Sequence, residues 1–269
     1  MIRLLALWLT LTLLTGCVGP QVRPDVAVLA SRQHIHFVPM EMPPLMIDAS
    51  YAATGTASIV HYLPRYTIGM ARTVGVLSGI ALLVEWPEIS RRRIEFAPDV
   101  LQRLKSADEW LLTVELAKAA GSWLAAHGRT TSQSRDIHAI PGIEERNRTV
   151  FMENWMAPIR AWYNNETPTP GTTVLNQLDA SLIVEVGVSN YEIHAGKLLL
   201  QVHVRLIDPA TGRLLGRARD SSFTEQPPMD TMFADDARAF KAASLTAGSR
   251  LLASCLQELG LLTRPPPSL

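Results

Sequence analysis

The stretch Lys197-Leu-Leu-Leu-Gln-Val-His-Val-Arg-Leu-Ile-Asp-Pro-Ala-Thr-Gly-Arg-Leu-Leu-Gly-Arg-Ala-Arg-Asp220 decides the fold. Its first half alternates, with Val202, Val204 and Leu206 on one side of an extended chain and Gln201, His203 and Arg205 on the other. That is the two-residue period of a strand with one buried and one solvated face. Asp208-Pro-Ala-Thr-Gly212 supplies a type I turn closed by a residue suited to positive φ, so residues 213–220 fold back as a further strand. Upstream, Leu182-Ile-Val-Glu-Val-Gly-Val-Ser-Asn-Tyr191 repeats the alternation through Val184, Val186 and Val188. Three antiparallel strands need a cover on their apolar face. After Pro227-Pro228, the residues Phe233, Ala237, Phe240, Ser244, Gly248, Leu251 and Cys255 recur at i+3/i+4 spacing and line one face of a long helix that can provide it.

Toward the N-terminus the pattern is less regular. A helix is expected over residues 151–163, bent at Pro158 and broken by Thr167-Pro-Thr-Pro-Gly171. Residues 129–150 are polar, carry Pro141-Gly142 and read as a long loop or partly disordered insertion. Ser106-Ala-Asp-Glu109 has the form of a capping box. Behind it Trp110, Leu111, Val114, Lys118, Gly121, Leu124 and Ala125 follow helical spacing as far as a His127-Gly128 stop. Residues 73–86 are the most apolar stretch beyond the N-terminus and too short to cross a bilayer, which predicts a buried core segment, with a partner-facing or membrane-dipping segment as the other reading. Pro20, Pro24, Pro39, Pro43 and Pro44 flank the apolar runs 26–29 and 35–38, predicting a tether that leads into one or two short strands. The expected fold class is α+β, an antiparallel sheet packed by amphipathic helices.

The chain carries 25 basic and 25 acidic side chains, so it offers no general attraction for nucleic acid or anionic lipid, and Arg91-Arg92-Arg93 reads as a solvated face. Of the seven histidines, His34 and His36 share one face of a strand, yet no cysteine or acidic residue stands at ligand spacing beside them; no metal or other cofactor is implied. The serine-elbow and phosphate-loop patterns are missing, and Gly69, Gly75 and Gly79 read as close-packing positions. Cys255 falls on the apolar helix face, which favours an inert buried thiol.

The first residues have a different character. Arg3 is followed by an uncharged apolar run from Leu4 to Leu13 that closes on Leu14-Thr15-Gly16-Cys17, the three-part layout of an export signal and shorter than a spanning helix. The closing four residues resemble the lipobox of bacterial lipoproteins. That resemblance implies cleavage before Cys17, acylation of Cys17 and anchoring by two or three chains, since one chain alone binds only marginally. Val18 stands where lipoproteins retained at the inner membrane carry aspartate, which by the same resemblance implies the periplasmic face of the outer membrane. The helix and strand order over residues 172–259 also resembles the periplasmic α/β domain of envelope-transport auxiliary lipoproteins and the N-terminal domain of TolB. The organisation expected is a signal peptide over 1–16, a lipidated tether over 17–44, a periplasmic α+β domain over 45–262 with a helical or loop insertion near 65–165, and a loose tail over 263–269.

These readings converge on a non-enzymatic accessory or assembly subunit of an envelope transport, secretion or surface-polymer system. Its expected partners are the membrane, through Cys17, and a protein of the cell envelope docking on Gln201, His203 and Arg205 with the neighbouring 190–197 turn. A lipid-anchored periplasmic hydrolase, or a carrier of a small apolar ligand beneath residues 73–86, are the alternatives.

Overall fold

The turn after Ile207 closes as its residues require. The Gly212 N–H donates to the Asp208 carbonyl at 2.8 Å, the Ala210 N–H donates to the Asp208 carboxylate at 3.1 Å, and Gly212 adopts a φ of 67°. Around this turn the computed structural model describes residues 22–43, 45–47, 110–143, 153–166, 180–194, 196–227 and 229–264. In chain order these form α1 (Val26–Ala30), β1 (His34–Pro39), β2 (Met46–Ile47), α2 (Leu112–Ala126), β3 (Thr130–Gln133), α3 (Glu153–Asn164), β4 (Leu182–His194), β5 (Lys197–Ile207), β6 (Leu214–Glu225), α4 (Met229–Met232) and α5 (Ala234–Glu258).

The sheet runs β3-β1-β4-β5-β6, with β2 pairing the distal half of β4. β4, β5 and β6 are antiparallel neighbours, as the alternation predicts. β1 lies parallel to β4 on one side and to β3 on the other, and β2 is parallel to β4, so the three hairpin-linked strands are one half of a mixed sheet. The α+β class stands. A register shift after Ser189 is taken up by Asn190 at a φ of 46°, a conformation asparagine tolerates.

Cross-strand partners share a face. Val184, Val204 and Val202 with Phe37 of β1 and Ala218 of β6 make up the apolar face, against which α2 and α5 pack. Phe233, Ala237, Phe240, Ser244, Gly248, Leu251 and Cys255 are all buried there, the face of α5 that its spacing predicts. Cys255 is buried and burial pushes its thiol pKa up, so it is the inert core thiol expected. The opposite face is covered by α3, in which Trp155, Ile159, Trp162 and Tyr163 point inward.

Several expectations are corrected. Residues 26–29 form a helical turn rather than a strand: a run of four apolar residues does not distinguish the two, and the Asp25 carboxylate accepting the Ala27 N–H at 2.8 Å decides it. Residues 34–39 form one of the short strands expected after the tether, here an interior strand that is almost wholly buried. Residues 130–133, read as part of a loop, are strand β3; Thr-Thr-Ser-Gln lacks apolar alternation because β3 lies at the sheet edge, where a polar strand is stable. The α2 stripe is Leu112, Thr113, Leu116, Ala117, Ala120, Trp123 and Leu124, rotated about one residue from the expected set; Lys118 and Ala125 face outward. Gly128, at a φ of 81°, ends the helix where expected. Residues 1–21, 73–86, the 106–109 capping box and 265–269 lie outside the described residues. Among the described residues no helix is long and apolar enough to cross a membrane.

Candidate functional site

Strand alternation sends Glu185, Arg205 and Arg217 to the same side of β4, β5 and β6 as direct cross-strand neighbours. The Glu185 and Arg205 side chains are fully buried, and their carboxylate and guanidinium lie 2.7 Å apart. Trp162 Nε1 donates to the same Glu185 carboxylate at 3.1 Å, and its ring lies under the Arg205 guanidinium at 5.4 Å. Burial works against the Arg205 charge; the Glu185 carboxylate beside it works to keep it. Arg205 Nη2 donates to the Asn165 carbonyl at 2.9 Å, and Arg217 Nη1 donates to the Tyr163 and Asn164 carbonyls at 3.2 and 2.8 Å. Two guanidinium groups therefore take up the bare carbonyls at the C-terminal end of α3, where the helix dipole favours cations.

Gly187 makes this approach possible. A Cβ at that position would lie 2.6 Å from Trp162 Cη2, inside any real contact. The indole therefore rests directly on the β4 backbone, next to the ion pair it bonds.

His203, one cross-strand step along, meets Ser189 at 2.7 Å through Nε2 and the Tyr163 ring edge-on at 4.9 Å. The Ser189 hydroxyl donates to Gln201 Oε1 at 2.9 Å, an acceptor that Asn190 Nδ2 shares. With its hydrogen so committed, Ser189 accepts from a protonated Nε2, leaving Nδ1 bare and without a hydrogen-bond partner among the described residues. Burial, aided by the Arg219 charge, lowers the His203 pKa to about 3. Tyr163 moves the other way, raised to about 12 by burial. The contact has the separation of a nucleophile and its base, but the nitrogen facing the serine already holds a proton and no carboxylate orients the ring. It acts as a structural hydrogen bond.

The docking face expected at Gln201, His203 and Arg205 is corrected by this geometry. His203 is 3% exposed and Arg205 0%, while Gln201 is partly covered. Alternation along β5 is real, but its polar side meets α3 rather than water. Trp162, Tyr163, Glu185 and Arg217 were not singled out from sequence. Glu185 carried a legible signal: a lone acid inside Leu182-Ile-Val-Glu-Val-Gly-Val188 demands a buried cation.

At the other end of the same face, His34 Nε2 and His36 Nδ1 both meet the Ser132 hydroxyl at 2.8 Å, and His36 Nε2 meets the Ser134 hydroxyl at 2.9 Å. Burial, then the His34 and His138 charges, lower the His36 pKa to about 4. These histidines bind serines across the β1 and β3 pair. Among the described residues no cluster of three or more metal-ligating side chains is present.

No family model and no curated protein matches the sequence. Among solved structures the chain is similar to the PelC dodecamer from Paraburkholderia phytofirmans at 11% identity, with a TM-score of 0.36 and coverage of 89% of this chain and 94% of that one. A second PelC dodecamer structure from the same organism gives 12% identity, a TM-score of 0.31 and coverage of 55% and 73%. A hypothetical protein from Chlamydia trachomatis gives 13%, 0.29, and coverage of 56% and 83%. These likenesses are distant, and no function passes from them to this chain.

Proposed function

We propose that this protein is a non-enzymatic accessory or assembly subunit of an envelope transport, secretion or surface-polymer system, held by an acylated Cys17 at the periplasmic face of the outer membrane. The observation that carries this reading is the Leu14-Thr15-Gly16-Cys17 sequence at the end of an uncharged apolar run. Val18 supports the outer-membrane destination. The buried polar face supports a non-catalytic body, because its charges are spent on holding α3 to the sheet. Cys17→Ala should abolish incorporation of labelled palmitate and leave the protein as a precursor or a soluble species; undiminished label in the variant defeats the anchor reading. Val18→Asp should shift the protein toward the inner membrane on a sucrose gradient, and an unchanged distribution defeats the outer-membrane assignment.

A lipid-anchored hydrolase is the alternative reading, and the Ser189 and His203 contact, though built as a structural hydrogen bond, is where it can be tested. A fluorophosphonate probe tests it directly. Labelling of the native protein that disappears in Ser189→Ala would replace the accessory reading with an enzymatic one.

A further inference from the structure

The sheet ends at β6, and the outer edge of that strand is covered only near its beginning. There the Arg217 N–H donates to the Val22 carbonyl at 2.9 Å and the Arg217 carbonyl accepts the Val22 N–H at 3.3 Å. Alternation turns the N–H and carbonyl groups of Arg219, Ser221, Phe223 and Glu225 to the same outer side as those of Arg217, while Ala218, Asp220, Ser222 and Thr224 bond to β5. Among the described residues these outward groups have no partner, except that the Ser221 N–H donates to the neighbouring Asp220 carboxylate at 2.8 Å. The side chains along this edge are equally open. Phe223 is 52% exposed, with the Lys197 ammonium 5.4 Å from its ring. Arg219 makes no ion pair or hydrogen bond among the described residues, its guanidinium resting 5.7 Å from the Tyr163 ring.

We propose that this edge pairs with the same edge of a second copy of the chain, antiparallel, about a two-fold axis at Ser222. In that register Arg219 stands opposite Glu225 of the second copy and Ser221 opposite Phe223, and each pair exchanges two N–H···O bonds. The charges select a copy of this chain as the occupant. The unpaired Arg219 cation meets the exposed Glu225 carboxylate, which Lys197 already holds at 2.7 Å, and symmetry makes the contact twice. The two Phe223 rings lie diagonally across the axis, within reach of one another, and cover their exposed surface. The register is fixed as well. A shift by one bonded position in one direction sets Glu225 against Arg217, whose groups are taken by Val22; in the other direction it sets Arg219 against Pro227, which has no N–H. Only the proposed register pairs all of Arg219, Ser221, Phe223 and Glu225. Pairing exchanges the Ser221 bond to Asp220 for one to the second copy's Phe223 carbonyl.

The test uses the full chain in a non-ionic detergent, which should sediment as a dimer. Under mild copper–phenanthroline oxidation Ser222→Cys should cross-link to a second copy, because opposed Cα atoms at a non-hydrogen-bonded position lie about 4.5 Å apart, within disulfide reach. Thr224→Cys, set opposite Asp220, should cross-link at least ten-fold less. The buried Cys255, its thiol pKa raised, does not compete. In the Ser222→Cys background Arg219→Glu or Glu225→Arg alone sets like charges against each other and should lower the cross-link several-fold; the two together should restore it. A thermal melt of each variant separates loss of pairing from loss of folding. Monomeric sedimentation, equal cross-linking at positions 222 and 224, a dimer that Ser222→Cys does not trap, a cross-link to a protein of another mass, or a charge swap that restores nothing overturns the proposal.

Discussion

The two faces of the central sheet are covered by helices, but by different physical means. Under α2 and α5 the contact is almost wholly apolar, with Val202, Val204 and Leu206 fully buried beneath helices that bury Phe240, Leu252 and Leu256 alongside the hydroxyls of Thr113 and Ser244. Such burial is non-directional and tolerates repacking so long as volume is kept. Under α3 the contact is polar, and the Glu185–Arg205 pair, the arginine bonds to helix carbonyls and the Trp162 indole are tied to one geometry. The difference teaches that alternation in a strand reports two unlike faces without reporting which of them meets water. One face supplies most of the driving force; the other sets where α3 must sit.

The comparison is broken most completely by a charge on the apolar face. Val204→Asp would bury an unpaired carboxylate, cost on the order of 5 kcal/mol and unfold the domain, seen as loss of cooperative thermal melting by circular dichroism. A protein that melts normally would show that α5 does not seal this face. Next comes the buried pair. Arg205→Ala leaves Glu185 uncompensated and should cost about 3–5 kcal/mol in urea unfolding, whereas the double change Glu185→Leu with Arg205→Met should recover most of that loss. Equal costs for the single and double variants would mean the pair is not coupled.

Smaller effects sharpen the picture on the polar side. Gly187→Ala forces the Trp162 ring off β4 and should cost about 1–3 kcal/mol. Indole emission should shift with it, and an unchanged spectrum would place α3 differently. Acid provides the mildest probe. His203 has a folded pKa of about 3 against an ordinary value of 6.5, so the unfolded chain binds the proton first. Its contribution to stability is therefore complete above pH 6.5 and declines as pH falls toward 3. Between pH 6.5 and 5.5 that decline amounts to about 1 kcal/mol. His203→Gln should flatten the pH dependence over this interval, and an identical slope would show that His203 becomes charged in place.

By itself the sequence determined the elements whose signals are local or strongly periodic. The β4, β5 and β6 strands follow from residue alternation, the intervening turn from Asp208-Pro-Ala-Thr-Gly212, and the inward face of α5 from seven positions that are all buried. The helix over 153–164 with Pro158 inside it was equally legible. Tertiary structure decided what required a partner distant in the chain. β1 and β3 pair in parallel across nearly a hundred residues, a contact that no local pattern announces. Gln201, His203 and Arg205 looked solvated because half-buried alternation is identical whether water or a helix covers the polar side. The burial of Arg205 depends on Glu185 neutralising it and on the Asn165 carbonyl at the end of α3 accepting a hydrogen bond from it. Those groups converge only once the sheet is assembled, because desolvation and charge pairing are properties of neighbours in space.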